Sequence, residues 1–201
     1  MTYRAKKSFV SILPYAVWMA MMLLLPATPE CYTARALVTL VLLLPCLVYL
    51  ERHHGVIHRN SKLLPELVWG ALVGMFVFAI WVWPEQFGWY RKWFVYGDGG
   101  TNAVAESDMI FKLVRLLGSA FVISVAEELF FRRWLMRFAG FWWMVALFAV
   151  EHDRWLVGAI AGVLYGWLAI RKGLISAIIA HVTTNLALGL YVLETGNWQF
   201  W

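Results

Sequence analysis

The chain has 201 residues, of which 62% are hydrophobic and 14% charged, with a net charge of +5. A soluble domain of that length has too much surface for so few charges, so lipid must be the solvent for most of it. Nor does the positive balance mark a nucleic-acid binder, because the basic residues fall at the ends of apolar runs.

A hydrocarbon core of about 30 Å takes about 20 helical residues to cross. On that measure the sequence predicts spans at roughly 9–27, 34–51, 65–84, 113–138, 155–170 and 173–193, with a shorter apolar piece at roughly 140–152. The first run lacks a convincing small-residue cleavage site and is followed at once by another, so it is read as a span and not a signal peptide. The expected fold class is all-α, a polytopic transmembrane bundle of about six to eight helices. With no repeat and no low-complexity linker, residues 1–201 are expected to form one integral membrane domain.

Along the chain, Cys31 and Cys46 make no metal or redox spacing, and a packing role is expected for Cys46 inside its span. His53, His54 and His58 are placed in the loop after the second span, where either a metal site or plain solvation is open. The stretch 85–112 is the sizeable extramembrane segment. Its GDGG at 97–100 follows no strand and lacks a nearby Lys–Ser/Thr signature, so a surface turn is expected there and not a phosphate cradle. Trp89, Tyr90, Trp93 and Phe94 can rest that segment on the membrane. Trp142, Trp143, Trp155, Trp198 and Trp201 are read as further interface anchors. With the N-terminus in the cytoplasm, 11 of the 17 Lys and Arg residues fall inside and 6 outside, the expected inward excess. Setting aside Arg132 and Arg133, which can lie within a span, leaves 9 against 6.

The fourth span carries VAEELFFRRWL at 125–135. Arg115 and Arg137 bracket it at a separation of about 33 Å, which puts Glu127 and Glu128 near mid-membrane. Each charge at that depth costs roughly 2.5–3.5 kcal/mol on insertion scales, so a function is expected in return. Glu128 and Arg132 are an i, i+4 pair with the acid first, and can neutralise each other. Glu127 points about 100° away, toward Phe131, without a local cation, as suits a general acid or base. His152 and His181 fall at similar depth on two other elements, with Asn185 one turn beyond His181 on the same face. Singly, each is as well explained by helix–helix hydrogen bonding. At one level on three helices, they read as a site. Gly158, Gly162 and Gly166, four residues apart, predict a face where another helix approaches closely.

The same residues carry a family resemblance. Glu-Glu-x-x-x-Arg at 127–132, Phe-x-x-x-His at 148–152 and His-x-x-x-Asn at 181–185 stand in the order seen in the CPBP family, which includes Ras-converting CAAX endoproteases and bacteriocin-processing or self-immunity membrane proteins. The resemblance covers roughly 113–193. It implies a glutamate-dependent intramembrane endopeptidase, with Glu127 as general base, His152 positioning and activating a water, and His181 and Asn185 stabilising an oxyanion. Glu128 and Arg132 would support the site. The implied substrate is a peptide or protein, such as a leader peptide or C-terminal sorting tail. The implied setting is a bacterial cytoplasmic membrane.

Two alternatives stay open. A zinc protease could use His152, His181 and a glutamate, although no HExxH is present; otherwise no cofactor is expected. A non-catalytic self-immunity or peptide-binding protein could keep the same fold. A proton-coupled transporter is disfavoured by the lack of an inverted repeat.

Overall fold

The computed structural model describes residues 3–54, 63–96 and 106–200. The GDGG turn, His58 and Trp201 lie outside the described residues.

Every element among the described residues is helical: α1 (Tyr3–Leu24), α2 (Pro29–His54), α3 (Leu63–Val82), a 3-10 turn (Trp83–Gln86), α4 (Gly88–Phe94), α5 (Met109–Ala139), α6 (Phe141–Val150), α7 (Trp155–Arg171), α8 (Leu174–Thr195) and a closing 3-10 turn (Trp198–Phe200). Among the described residues, five helical stretches are long and apolar enough to cross a membrane: Ala5–Leu24, Pro29–His53, Leu63–Gln86, Met109–Ala139 and Leu174–Thr195. The sequence suggested six. The remaining one, expected at 155–170, is α7, which has 17 residues and pairs with the 10-residue α6 as a helical hairpin. The second span also runs further than expected. α2 continues through Arg52 to His54, so His53 and His54 are helical rather than in a loop, and His53 stacks on Tyr49 at 4.5 Å.

α6 and α7 pack along the glycine stripe. A Cβ built on Gly162 would lie 3.5 Å from the Val145 backbone and 3.4 Å from Phe148, and one on Gly158 would lie 3.4 Å from the Ala149 backbone. Side-chain-free positions let the two backbones close, as small residues do between membrane helices. A second contact of this kind joins α3 to α8. A Cβ on Gly70 would sit 2.7 Å from the Ser176 carbonyl oxygen, and one on Gly74 would collide with the Ala180 carbonyl. The buried residues of α8 (Ala177, Ala180, His181, Thr184, Leu188, Val192) recur every three or four positions, forming the stripe that meets these neighbours.

Gly140 and Gly173 separate α5 from α6 and α7 from α8. With φ at 95° and 107°, they adopt backbone that an L side chain resists, so the chain reverses there without a long loop. The tip of the α6–α7 hairpin, Glu151–Arg154, lies at the opposite end of the bundle, under the segment that follows α3. Glu85 pairs with Arg154 at 2.7 Å, both side chains buried, and the Tyr96 amide donates to the Asp153 carbonyl. Phe200 packs under the Arg154 guanidinium at 4.6 Å. In α4, Trp89 and Trp93 are exposed as expected of membrane anchors, whereas Tyr90 is buried.

Cys31 and Cys46 are both free, with Cys46 buried on α2.

Candidate active site

α5 departs from α-helical geometry twice. Gly118–Ile123 and Leu129–Leu135 form wider turns with i→i+5 hydrogen bonding, on either side of Ser124–Glu128. Such turns displace backbone groups from the regular ladder, and they recur at functional sites. Within the first of them, the Ser119 carbonyl takes side-chain donors. It accepts from Ser124 Oγ at 3.0 Å and from Asn185 Nδ2 of α8 at 3.2 Å.

Between the two turns stand the paired glutamates. Glu128 has no exposed side-chain area, and its Oε1 lies 2.9 Å from Arg132 Nη1. The i, i+4 partnership expected from the spacing is therefore present. The same Oε1 also lies 2.9 Å from His181 Nδ1. That oxygen, already paired with Arg132, serves as the acceptor, so Nδ1 is the donor in the contact. The remainder of the Arg132 guanidinium is buried against rings, with Phe148 at 4.0 Å and Tyr165 at 5.4 Å. Cation–π contact thus replaces water around a fully desolvated cation.

Glu127 occupies a different environment. Its side chain keeps 14% of its area exposed, and Oε2 lies 3.7 Å from His181 Nε2, beyond hydrogen-bond range. That oxygen has no hydrogen-bond partner among the described residues. His181 thus stands between the two glutamates, bonded to one and facing the other.

A cavity of about 460 Å³ opens beside these groups, and His152, His181, Asn185, Ser119, Tyr165 and Trp81 are among the residues lining it. It reaches the end of the bundle at Glu151–Arg154 and Gln199–Phe200. Glu127 does not itself line this space; it meets the wall at His181.

His152 is oriented by its own turn. Nδ1 lies 2.7 Å from the Phe148 carbonyl, which can only accept, so Nδ1 carries the proton and Nε2 is left as an acceptor. Trp81 and Phe148 hold the ring at 5.4 and 4.6 Å. Asn185 is fixed by the same logic. The Ser119 carbonyl dictates which end is nitrogen, and Nδ2 also reaches Ser124 Oγ at 2.9 Å. Both amide hydrogens of Asn185 are therefore committed to α5.

Glu127, Glu128, Arg132 and His181 thus form one contiguous cluster, while His152 and Asn185 join it around the cavity. Three supporting residues escaped the sequence reading. Tyr165 stacks on His181 at 5.2 Å and 28°. Its hydroxyl lies 2.6 Å from Thr184 Oγ1, which itself donates to the Gly74 carbonyl at 2.8 Å, so Tyr165 is the donor. Ser124 braces Asn185. A serine in an apolar span and a small-residue pair at Gly70 and Gly74 were the available signals.

Among the described residues, no three His, Cys, Asp or Glu side chains are grouped as a metal-ligand set.

Residues 109–187 match the family model described as Type II CAAX prenyl endopeptidase Rce1-like. The match runs from the start of α5 into α8 and includes all three motifs, in agreement with the CPBP resemblance. It supports an intramembrane protease, and with it a peptide or protein substrate. Together with the long apolar helices, it supports an integral membrane protein. No curated protein and no solved structure matches the chain.

Proposed function

We propose that the chain is a glutamate-dependent intramembrane endopeptidase that hydrolyses a peptide bond near the end of a protein or leader peptide. The observation that carries this reading is the contrast within the glutamate pair. Glu128 is fully buried and committed to Arg132 and His181, while Glu127 keeps an unbonded oxygen behind His181, one side chain from a cavity that also holds a histidine acceptor.

In this scheme a water enters the cavity from the Glu151–Arg154 end and is positioned by His152 Nε2. Glu127 takes a proton from it as the hydroxyl oxygen bonds to the scissile carbonyl carbon. Charge then builds on the carbonyl oxygen. His181 faces it through Nε2, and when that nitrogen is protonated, the two carboxylates balance one guanidinium and one imidazolium. A preformed donor in a site of low dielectric is the arrangement that stabilises an oxyanion. Glu127 returns its proton to the leaving nitrogen as the C–N bond breaks. Asn185 can join as a second donor only by releasing Ser119 or Ser124; in the resting geometry it holds the wide turn of α5 in place.

Water activation by Glu127 and His152 needs no metal. The test is hydrolysis of a panel of C-terminal and leader peptides by the purified chain in heavy-oxygen water, with elemental analysis of the same sample. We expect heavy oxygen in the newly formed carboxyl group and no stoichiometric zinc. One zinc per chain, lost together with activity on chelation, would replace this scheme with metal-assisted hydrolysis.

A further inference from the structure

A second cavity, of about 330 Å³, lies at the same end of the bundle, where α1 turns into α2 against the start of α5. Trp18, Tyr32, Arg35, Phe111 and Arg115 are among its lining residues. Arg35 is 6% exposed, and its Nε has no hydrogen-bond partner. Its neighbours are ring faces, Trp18 at 5.5 Å and Tyr32 at 5.8 Å, and no acid lies within ion-pair distance of it among the described residues. Arg115 sits over the same Tyr32 ring at 4.9 Å. Two guanidiniums thus share one tyrosine, and that of Arg35 lacks a counter-ion among the described residues.

Desolvating a cation is costly unless an anion compensates it, and aromatic faces do so only partly. The surroundings indicate which anion. Leu23 and Leu24 close α1 at 84% and 80% exposed, and Met109 and Ile110 open α5 at 62% and 73%. These exposed apolar helix ends stand beside the cavity and in a bilayer would meet acyl chains, with the paired arginines then near the depth of lipid headgroups. Guanidinium is suited to phosphate through parallel N–H···O bonds, and a phosphate diester carrying apolar chains matches both floor and rim.

We propose that this cavity is a phospholipid site in which Arg35, with Arg115, holds the headgroup phosphate while the acyl chains lie along the apolar rim. The site is separate from the catalytic groups, although Met22 and Arg115 line both cavities. A bound lipid would therefore brace one wall of the larger cavity.

The test uses the full chain, purified and delipidated in detergent, with thermal melting and native mass spectrometry as readouts. Dioctanoyl phosphatidylglycerol should raise Tm saturably, with one lipid retained per chain, and dioctanoylglycerol should not. Arg35→Gln should weaken lipid binding by about tenfold or more, with Arg35→Lys in between, because a charged phosphate contact is lost or made less well. Equal effects of the phosphate-free lipid, or unchanged binding by Arg35→Gln, would overturn the proposal. A full shift from inorganic phosphate alone would make this a free-phosphate site. Displacement of the lipid by a free-acid peptide, and not by its amide, would make it a peptide subsite. Either result would contradict the lipid assignment. If Arg35→Gln does not fold, protection of Arg35 from phenylglyoxal in the parent decides: protection by the phospholipid supports the site, and its absence overturns it.

Discussion

Glu128 and His181, 53 residues apart in the chain, meet at 2.9 Å through Oε1 and Nδ1, and the same carboxylate oxygen holds Arg132 at 2.9 Å. One fully buried carboxylate therefore orients both a cation of its own helix and the imidazole of α8. Glu128→Gln keeps the shape but strands Arg132 among rings. Breaking one partner of a buried pair costs about 3–5 kcal/mol, so the variant should show a large loss of thermal stability and expression. Arg132→Leu should resemble it. The double change should cost less than the sum of the two, because neither charge is then left alone. Melting curves of the three variants in detergent check this; strictly additive losses would mean that the two side chains act independently.

The glycine contacts rank in a definite order. A Cβ at Gly162 would make only ordinary contact at 3.4–3.6 Å, whereas one at Gly74 would run into the Ala180 carbonyl and Thr183. Gly162→Ala should therefore be nearly silent, while Gly162→Leu and Gly74→Ala should each cost roughly 1–3 kcal/mol by overpacking. Parent-like melting of Gly74→Ala would show that α3 and α8 are further apart than described.

Glu85 and Arg154 fasten the tip of the α6–α7 hairpin, with side chains 4% and 7% exposed, while Arg91, at 42%, reaches Glu85 from outside at 3.4 Å. Arg154→Leu leaves Glu85 buried with a distant partner and should loosen the hairpin tip beside the cavity mouth. Arg91→Ala should change stability by less than about 1 kcal/mol, as a partly exposed pair does. Hydrogen exchange at residues 151–154 should accelerate in the first variant and stay near the parent rate in the second.

How much of this was legible in the sequence follows from which relations are local. The Glu128–Arg132 pair and the different facing of Glu127 follow from helical spacing alone and are present, and another helix does pack at Gly162, although at a distance that would admit a methyl group. Glu128 reaching His181 was not legible, because the spacing within one helix does not tell which carboxylate a distant imidazole will meet. The wide turns of α5 were hidden for another reason. They are a property of the backbone, and the Ser119 carbonyl that meets Asn185 carries no residue-type signal, so the commitment of Asn185 to α5 is not legible in the sequence. α7, expected as a full span, has 17 residues, the short end of the range that crosses a bilayer. The Glu85–Arg154 bond joins segments 69 residues apart, and nothing in either segment names the other.

Asn185 and Ser124 give a separate test of the α5 geometry. Ser124→Ala removes one acceptor of Asn185 and one donor to Ser119 O, leaving Asn185 still bonded to that carbonyl. A loss of about 0.5–1.5 kcal/mol is expected, as for a typical hydrogen bond. Asn185→Ala removes the interhelical bond itself and should cost more in thermal melts. The reverse order would place the main support of the turn within α5.

The most direct measurement is cleavage by Glu127→Gln beside the parent, on a peptide the parent hydrolyses, with melting temperature and peptide affinity measured on the same preparations. If Glu127 is the base, the variant loses turnover by about a hundredfold or more, the scale of general-base removal, while it folds and binds peptide like the parent. A Glu127→Gln protein that cleaves at the parental rate would contradict the mechanism.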